Sequence, residues 1–578
     1  MRRLYMNDSN RRGVVHVQSA IPMPGGRLEA PKSVALPWWA TPRGAATIVA
    51  AVAIAAFAGE LGNGFTYDEG LVIVGAQRFL QSGDFGTLLS PGYFSGSLEG
   101  TWRPVCTFTY MVDAMVSMQP AAFKVDSLIW HIAAAWLLMT LARRLLPEGR
   151  RRYALLAGLL FVLHPVTAET VDNASFREDS LVTVFTLATL VLSLDGRRWL
   201  ALLTFALGLL SKESAVMAPA LLLILRAGRF DGAPARPLRA AAAAWLRELV
   251  PFGVVALVYL GLRFGPMRMA GTYANYPGGS FAAALRGLPA IWAHDLRLLV
   301  WPWPLCADYT GYFRFGAQPW EPVLISLVVV LGYFGLSLFA LRRGPRVAAL
   351  GLGWFLLTLL PVSNLLPIPI PAAERFLYMP LCGIALAAAA GFGALMERLA
   401  TRPAARRGAV SVAMCMLVAL AVVLNRRHRD WRDDRTLWLA TVAVNPRSCG
   451  AQSAVGGELL SRGMASGDRQ VLAASAAREE LALSLCSDGS DPFRAAAAYT
   501  RLGAARTLLG QPVPARAALT RAIALGPRYA LPVAWLGYQA YRDGDLPTAA
   551  ILLKHAIIDL GPPDATVAAV AQLYVDKI

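Results

Sequence analysis

The sequence predicts an all-α protein: a polytopic membrane bundle of about eleven helical spans, followed by a C-terminal domain of helical repeats. Of the 578 residues, 56% are hydrophobic and only 16% are charged, whereas soluble domains carry about 25% charged residues. Several apolar stretches also reach the length of about 17 residues or more that a helix needs to cross the hydrocarbon core. An internal repeat of 34 residues near the C-terminus predicts the helical domain.

The predicted spans follow one another along the first three quarters of the chain. They cover approximately residues 44–62, 125–142, 153–168, 180–194, 199–211, 214–226, 248–264, 321–341, 347–366, 375–396 and 408–424. Arginine accumulates in every second connection, which predicts that these connections are cytoplasmic. The basic connections are 1–43, 143–152, 197–198, 226–247, 342–346 and 398–407. An odd number of crossings then places the N-terminus in the cytoplasm and the C-terminal domain on the opposite side.

The formal net charge of +18 would ordinarily suggest nucleic acid as a partner. Here the arginines lie in short connections between apolar segments, where they act as topology signals. We therefore expect membrane lipids rather than nucleic acid around the chain.

Three regions are predicted: a basic cytoplasmic tail over 1–43, a membrane domain over 44–425 and a repeat domain over 426–578. Two outer connections of the membrane domain, 63–124 and 265–320, are far longer than a simple linker, and long ordered loops are usually functional. Within the second, Leu285–Val300 has the amphipathic pattern of a helix that lies flat in the membrane interface.

The C-terminal repeat is visible residue by residue, at a constant offset of 34 positions. The matching pairs are Leu502-Gly503 with Leu536-Gly537, Gly510 with Gly544, Leu519 with Leu553, and Ala522-Ile523 with Ala556-Ile557. This is the period of the tetratricopeptide repeat, a helix pair that stacks on its neighbours. A third, degenerate unit is predicted to begin near Asn445-Pro446.

Two cysteines of this domain, Cys449 and Cys486, are candidates for a disulfide if the compartment is oxidising. The spacing of the six cysteines fits no metal-binding pattern. Free thiols are therefore the equal alternative.

Acidic and basic residues gather beside the apolar helices on the non-cytoplasmic side, and charge near lipid usually has a partner or a function. The segment Tyr67-Asp68-Glu69 follows the first span, where its carboxylates suit a general base or a metal ligand. A helix N-cap is the alternative. The segment Trp102-Arg103-Pro104 supplies an arginine suited to phosphate recognition, with a surface ion pair as the alternative.

A third group occupies the short connection between the third and fourth spans. Its ionisable residues are His164, Glu169, Asp172, Arg177, Glu178 and Asp179, for which a structural salt-bridge network is the alternative. A fourth comprises Lys212-Glu213 and Glu374-Arg375, at span ends where long charged side chains often reach the interface. With Arg103 and Arg177 these residues provide four cations that could hold a lipid-linked phosphate. No nucleotide-binding loop, zinc-protease or esterase signature accompanies them.

These segments, taken in order, resemble those of the transmembrane tetratricopeptide-repeat O-mannosyltransferases and their bacterial relatives, in the C-type glycosyltransferase (GT-C) superfamily. Besides the segments above, the resemblance includes Leu163-His164-Pro165, Leu210-Ser211-Lys212-Glu213, Trp301-Pro302 through Asp308-Tyr309, Pro361-Val362-Ser363-Asn364 and Glu374-Arg375-Phe376-Leu377-Tyr378. It covers about residues 60–570. The chain departs from the family in three ways. Asp68-Glu69 replaces the frequent Asp-Asp, Ser175-Phe176-Arg177-Glu178-Asp179 lacks the family's lysine, and the repeat domain is short.

The resemblance implies an inverting transfer of a mannose-like sugar from a polyprenyl-phosphate donor to a protein Ser/Thr or a glycolipid acceptor. It implies Asp68 as the catalytic base, with Glu69 orienting the acceptor or a metal. Substrate-binding residues would be Arg103, His164, Glu169, Arg177, Lys212, Glu374 and Arg375. Glu178 and Asp179 would line the pocket or bind a divalent metal ion, and metal dependence stays open.

Two other functions are compatible with the pattern: a non-enzymatic membrane scaffold whose repeats recruit envelope proteins, and a lipid or glycan flippase. The long outer connections favour the enzyme over a scaffold. The clustering of charge at one face, rather than at the membrane midplane, disfavours a transporter. The alanine- and arginine-rich composition predicts a bacterial inner membrane with periplasmic repeats; in a eukaryote the compartment would be the lumen of the endoplasmic reticulum.

Overall fold

The computed structural model describes residues 37–560, except for residue 98, 231–236, 268–275, residue 314, 316–319, residue 369, 487–491 and residue 528. Most of the predicted basic tail and the last part of the predicted repeat domain therefore lie outside the described residues. All regular structure in the described ranges is helical, which confirms the all-α class.

The first part of the chain forms sixteen α-helices. Their bounds are α1 Pro42–Phe57, α2 Glu69–Ser82, α3 Tyr93–Ser97, α4 Pro104–Val116, α5 Pro120–Leu145, α6 Ala154–Leu163, α7 Ala168–Asp172, α8 Arg177–Leu194, α9 Arg198–Leu209, α10 Ala218–Ala227, α11 Leu238–Phe264, α12 Phe281–Val300, α13 Trp320–Arg343, α14 Arg346–Leu359, α15 Tyr378–Arg398 and α16 Pro403–Asp430. The predicted helix Leu285–Val300 lies within α12; its interfacial location stays a prediction.

Several of these helices are long and apolar enough to cross a membrane, so the protein is an integral membrane protein. By length and composition, six such helices occur in the described part of the chain, or seven if a bent pair counts as one span. This is fewer than the eleven expected. The helices α9 and α10 have only 12 and 10 residues, which corresponds to about 18 and 15 Å at 1.5 Å per residue.

The predicted span 153–168 is not one straight helix. The helix ends at Leu163, and the chain turns by 55° before residues 165–172 continue. Pro165 lies at the break, and proline has no N–H with which to continue the helical ladder. The bend carries the segment from His164 to Asp179 across the end of the bundle, where its charged side chains meet other elements.

The arginine-rich connections lie together at one end of the bundle. Arg150 donates to Glu397 at 2.8 Å, joining the segment before α6 to the end of α15. Arg226 binds Glu248 at 2.7 Å, joining α10 to α11. Arg144 donates to the carbonyl of Val191 at 2.9 Å, joining α5 to the end of α8.

The acid-rich segments lie at the other end and are connected to the C-terminal region. Asn63 donates to the carbonyl of His428 at 3.1 Å, and the N–H of Tyr67 donates to Asp434 at 2.8 Å. The long connection before α13 joins them, since Asn445 donates to the carbonyl of Asp308 at 2.9 Å. Both outer connections and the C-terminal helices therefore share one end of the molecule.

The C-terminal region forms seven more α-helices, and the last six pack as three successive pairs. Their bounds are α17 Asp434–Val444, α18 Cys449–Ser466, α19 Arg469–Leu485, α20 Pro492–Leu508, α21 Pro512–Leu525, α22 Ala530–Arg542 and α23 Leu546–Lys554. The repeat seen in the sequence is also a structural repeat. A Cβ on Gly503 would lie 2.5 Å from Leu519, and one on Gly537 would lie 2.8 Å from Leu553. In both pairs the glycine lets the two helices approach closely.

A disulfide joins Cys449, at the start of α18, to Cys486, just after α19, with the Cα atoms 5.6 Å apart. The sequence left this pairing open. The bond closes the first helix pair, and structural disulfides are typical of oxidising compartments.

Candidate active site

Asp68 lies at the start of α2, and its side chain is exposed. Its carbonyl accepts the N–H of Leu71 at 3.0 Å, which begins the helix. In the described structure its carboxylate caps no N–H of α2. The carboxylate is therefore available to a ligand, and the N-cap alternative does not account for it.

Tyr67 fixes the direction of the chain just before Asp68. Its φ of 59° is in the left-handed region, which a bulky residue rarely adopts. The tyrosine ring packs between Phe176, at 5.4 Å, and Trp438, at 5.1 Å. Because such backbone conformations persist only where surrounding contacts impose them, these two rings hold Asp68 at its position.

The electrostatic surroundings of Asp68 come from several elements. The side chain is exposed, and charged residues of several elements lie around it; we call these surroundings the recess. Desolvation there raises the pKa of Asp68, whereas Arg375 and Arg494 lower it and Asp434 raises it further. A carboxylate with a raised pKa is a stronger base, which suits general-base chemistry.

Glu69, the neighbour of Asp68, points into the protein rather than into the recess. Its carboxylate accepts the N–H of Thr66 at 2.6 Å and the N–H of Ala174 at 2.8 Å. The ammonium of Lys124 is 4.0 Å away, and both side chains are fully buried. Glu69 thus ties the start of α2 to the segment between α7 and α8.

Two of the predicted phosphate-binding cations form a continuous chain with the acids of α8. Arg103 binds Glu178 at 2.8 Å and keeps 22% of its side chain exposed. Lys212 binds both oxygens of Asp179 at 2.6 Å and lies 3.8 Å from Glu178. Charge alternates along the four residues, so each cation is held in place by an acid.

Arg375 extends this chain towards Asp68. Its guanidinium binds Glu169, whose other oxygen accepts the Arg375 N–H at 2.8 Å. The guanidinium lies 4.0 Å from the centre of the Phe176 ring, the ring that also packs on Tyr67. Phe376 lies beside both Arg375 and Lys212, at 5.3 and 5.6 Å from its ring centre.

Arg177 is buried away from the recess. It binds Asp113 at 2.7 Å and Asp126 at 3.0 Å, and its guanidinium lies 4.9 Å from the ring of Tyr110. Because these partners come from α4 and α5, Arg177 joins the two helices to α8. Nothing in this arrangement leaves its guanidinium free for a phosphate.

His164 and Glu374 also have buried protein partners. A ring nitrogen of His164 lies 3.2 Å from the carbonyl of Leu299. Glu374 binds Arg427 at 3.0 Å and accepts from the hydroxyl of Tyr309 at 3.3 Å. The first contact joins the break before α7 to the end of α12, and the second joins the segment before α15 to α16.

Glu178 and Asp179, the predicted metal ligands, have their oxygens on Arg103 and Lys212. Among the described residues there is no group of three His, Cys, Asp or Glu side chains arranged to hold a metal ion. The residues present do not fit a metal site, and we derive no chemical step through one.

Four residues of the recess were not predicted as site residues: Trp438, Asp434, Arg494 and Asp308. The guanidinium of Arg494 lies 3.3 Å from a carboxylate oxygen of Asp308, and both residues affect the pKa of Tyr67. Asp308 belongs to a segment that the resemblance included. The other three lie in the C-terminal region, where no local motif marks them.

The fold and this recess define an integral membrane protein with an exposed carboxylate and a chain of cations at one face, an arrangement compatible with glycosyl transfer. The sequence is 26% identical to human "Protein O-mannosyl-transferase TMTC4", over 75% of this chain and 65% of that protein. It is 25% identical to Drosophila melanogaster "Protein O-mannosyl-transferase Tmtc1", over 68% of this chain and 57% of that protein. The chain is thus a relative of the transmembrane tetratricopeptide-repeat protein O-mannosyl-transferases.

A shorter segment is more similar: 20% of the chain is 36% identical to Drosophila melanogaster "Protein O-mannosyl-transferase Tmtc3". The chain spans less than two thirds of the length of the relatives it matches along most of its sequence, 65% and 57% in the two cases above. No protein-family model matches the sequence. No solved structure matches it either.

Proposed function

We propose that the protein is a GT-C-type membrane mannosyltransferase that uses a polyprenyl-phosphate sugar and modifies Ser or Thr of a protein acceptor. The names of its relatives support mannosyl transfer to protein. The donor class, the inverting course and the acceptor are the proposed parts. The observation that carries the proposal is the free carboxylate of Asp68, recessed beside Arg375 at the face that also holds the C-terminal helices.

In the proposed reaction the hydroxyl oxygen of the acceptor attacks the anomeric carbon of the sugar. Asp68 takes the hydroxyl proton as the new carbon–oxygen bond forms. The bond from the anomeric carbon to the phosphate oxygen breaks, and its electron pair leaves with the polyprenyl phosphate. Attack opposite the leaving group inverts the anomeric configuration. A positioned base of this kind contributes roughly 10²- to 10⁴-fold to a rate.

The leaving phosphate gains charge as its bond to the sugar breaks, and cations placed beforehand stabilise that charge. Arg375, Lys212 and Arg103 are assigned this role. Each of these cations is paired with an acid before the donor binds. The acid fixes the position of the cation and also neutralises part of its charge. The exposed part of Arg103 is the point of first contact in this scheme.

The proposed topology keeps eleven crossings over 44–425, with the shorter apolar helices α8, α9, α10 and α14 completing the set. It places Asp68 and a tetratricopeptide-like domain over 426–578 on the non-cytoplasmic side. The disulfide between Cys449 and Cys486 supports an oxidising compartment there, either a bacterial periplasm or the lumen of the endoplasmic reticulum.

The test is a transfer assay with the full chain in lipid nanodiscs, mannosyl-phosphoryl polyprenol as donor and Ser/Thr-containing peptides as acceptors. Asp68→Asn is expected to lower the rate about 100-fold or more. Asp84→Asn, at an exposed carboxylate in the same outer connection, is the matched control and is expected to keep the wild-type rate. Equal transfer by both variants would show that Asp68 is not the catalytic base. Absence of transfer by the wild type would rule out mannosyl-phosphoryl polyprenol as the donor.

A further inference from the structure

Three arginines of the C-terminal helices lie beside α18: Arg494 and Arg501 on α20, which packs directly against α18, and Arg478 on α19. Arg501 donates to the hydroxyl of Ser453 at 2.8 Å, and Arg478 donates to the side-chain oxygen of Gln452 at 2.6 Å. Arg494 binds Asp308 at 3.3 Å and keeps 30% of its side chain exposed. We call this set, Arg478, Arg494 and Arg501, the arginine face.

Two glycines of α18 make room for this face. A Cβ on Gly450 would lie 2.8 Å from a terminal nitrogen of Arg494, and one on Gly457 would lie 3.0 Å from Nε of Arg501. The glycines are seven residues apart, and so are the two arginines. The same close approach therefore occurs twice, and it lays two guanidiniums along one side of α20.

The acids near the arginine face leave it positively charged. Glu479 is buried, and desolvation raises its pKa to about 8, so it is largely neutral at pH 7 although Arg501 and Ser453 lower the value. Asp308 is paired with Arg494 and also accepts from the hydroxyl of Ser448 at 2.8 Å. Asp308 is thus the acid that pairs directly with a member of the arginine face, which carries three guanidiniums.

The arginine face continues into the recess of Asp68. Arg494 is its nearest member and lowers the pKa of both Asp68 and Tyr67. Arg501 lies two helical turns farther along α20, a rise of about 10 Å. A polypeptide in the polyproline II conformation covers that distance in about three residues, and residues three apart in it lie on the same side.

We propose that the arginine face binds acidic side chains of the polypeptide acceptor, spaced about three residues apart and on one side of the modified Ser or Thr. Guanidinium groups bind carboxylates in paired hydrogen bonds, and arginine clusters are a common means of recognising acidic segments. This inference rests on the proposed function for the identity of the acceptor. Arg494 and Arg501 would then determine acceptor specificity, and Arg494 would in addition lower the pKa of Asp68.

Binding of synthetic peptides to the full chain in detergent micelles tests this directly and needs no sugar transfer. The probes are two fluorescein-labelled peptides of about twelve residues with one serine, one carrying two aspartates three residues apart and one carrying asparagines instead. We expect the acidic peptide to bind at least about tenfold more tightly. The pair Arg494→Gln and Arg501→Gln is expected to abolish that preference.

The matched control removes two other arginines, Arg462→Gln and Arg516→Gln, whose side chains are 51% and 64% exposed. This pair is expected to keep the preference. If the protein with Arg494→Gln and Arg501→Gln fails to fold, salt dependence provides the test. The preference of the wild type for the acidic peptide must then fall when sodium chloride rises from about 50 to 500 mM, because the contact is between charges.

Equal binding of the two peptides by the wild type would overturn the proposal. An equal loss of the preference for the acidic peptide in the control variant, Arg462→Gln with Arg516→Gln, would overturn it as well. Binding of phosphatidylglycerol vesicles that depends on Arg494 and Arg501, without any peptide preference, would assign the face to lipid and overturn it as well. Failure of Asp68→Asn to reduce transfer would count against the proposed mechanism and would leave the peptide result unchanged.

Discussion

The carboxylate of Glu69 accepts the backbone N–H of Ala174 at 2.8 Å, and this bond joins the start of α2 to the segment before α8. Asp68 precedes Glu69, while Phe176, which packs on Tyr67, follows Ala174. The buried contact between Glu69 and Ala174 therefore fixes Asp68, the proposed base, relative to the Phe176 ring on which Arg375 lies. In this arrangement Glu69 positions the site and makes no contact with substrate.

Replacing Glu69 tests this positioning role. Glu69→Gln is expected to lower the melting temperature, since it removes a buried charge that faces Lys124, and breaking a buried pair costs about 3–5 kcal/mol. Transfer is expected to slow about tenfold in kcat with little change in KM for the acceptor, because the base is displaced while the acceptor surface is intact. Steady-state kinetics and thermal unfolding measure both effects, with Asp84→Asn, at an exposed carboxylate of the same connection, as the control. A rise in KM alone would instead indicate that Glu69 binds the acceptor.

The pH dependence of transfer tests the recess around Asp68. A general base must be ionised, so the rate is expected to fall as pH falls through a pKa that lies above the ordinary value for Asp. Arg494 lowers that pKa, and Arg494→Gln is therefore expected to shift the acid limb of kcat/KM to higher pH. Arg462→Gln removes a charge from the outer surface of α18 and is expected to leave the profile in place. An acid limb that does not move between these variants would show that Arg494 and the base are not coupled.

The class of fold could be predicted from local pattern, whereas the pairing of the charged residues proposed for the site could not. The length of the apolar segments predicts the helices of the membrane domain. The constant offset between positions such as Gly503 and Gly537 predicts the helical repeat. The shape of the third predicted span did not follow, because composition does not reveal the break at Pro165. Arg177 was assigned to a phosphate because its partners, Asp113 and Asp126, lie on other helices and carry no shared motif. Contacts between distant segments decide which charges face the recess.

The chain of cations predicts a specific loss when Lys212 is neutralised. Lys212→Gln is expected to lower kcat/KM for the donor by about 10²-fold, a typical effect of removing one group that stabilises developing charge. It also leaves Asp179 buried without its ion pair, so thermal unfolding is measured in parallel. Lys554→Gln, at an exposed lysine of α23, is the control. Unchanged donor kinetics in a folded Lys212→Gln protein would confine Lys212 to a structural role.

Glu479 predicts how the stability of the C-terminal helices depends on pH. Its pKa in the folded protein is about 8, above the value of about 4.3 for an exposed glutamate. Between these values the folded state binds more protons than the unfolded state, so stability falls as pH rises, by at most about 1.4 kcal/mol per pH unit. Glu479→Gln keeps an oxygen for the hydroxyl of Ser453 and cannot ionise, so it is expected to raise the melting temperature at pH 8.5 and leave it nearly unchanged at pH 5. The neighbouring Glu480→Gln, at a side chain that is 53% exposed, is the control and should melt as the wild type does at both values. Two results would contradict this: a wild-type melting temperature that does not fall between pH 5 and pH 8.5, or one that falls equally in Glu479→Gln. Either would mean that Glu479 is ionised in the folded protein. The positive charge assigned to the arginine face would then be smaller by one.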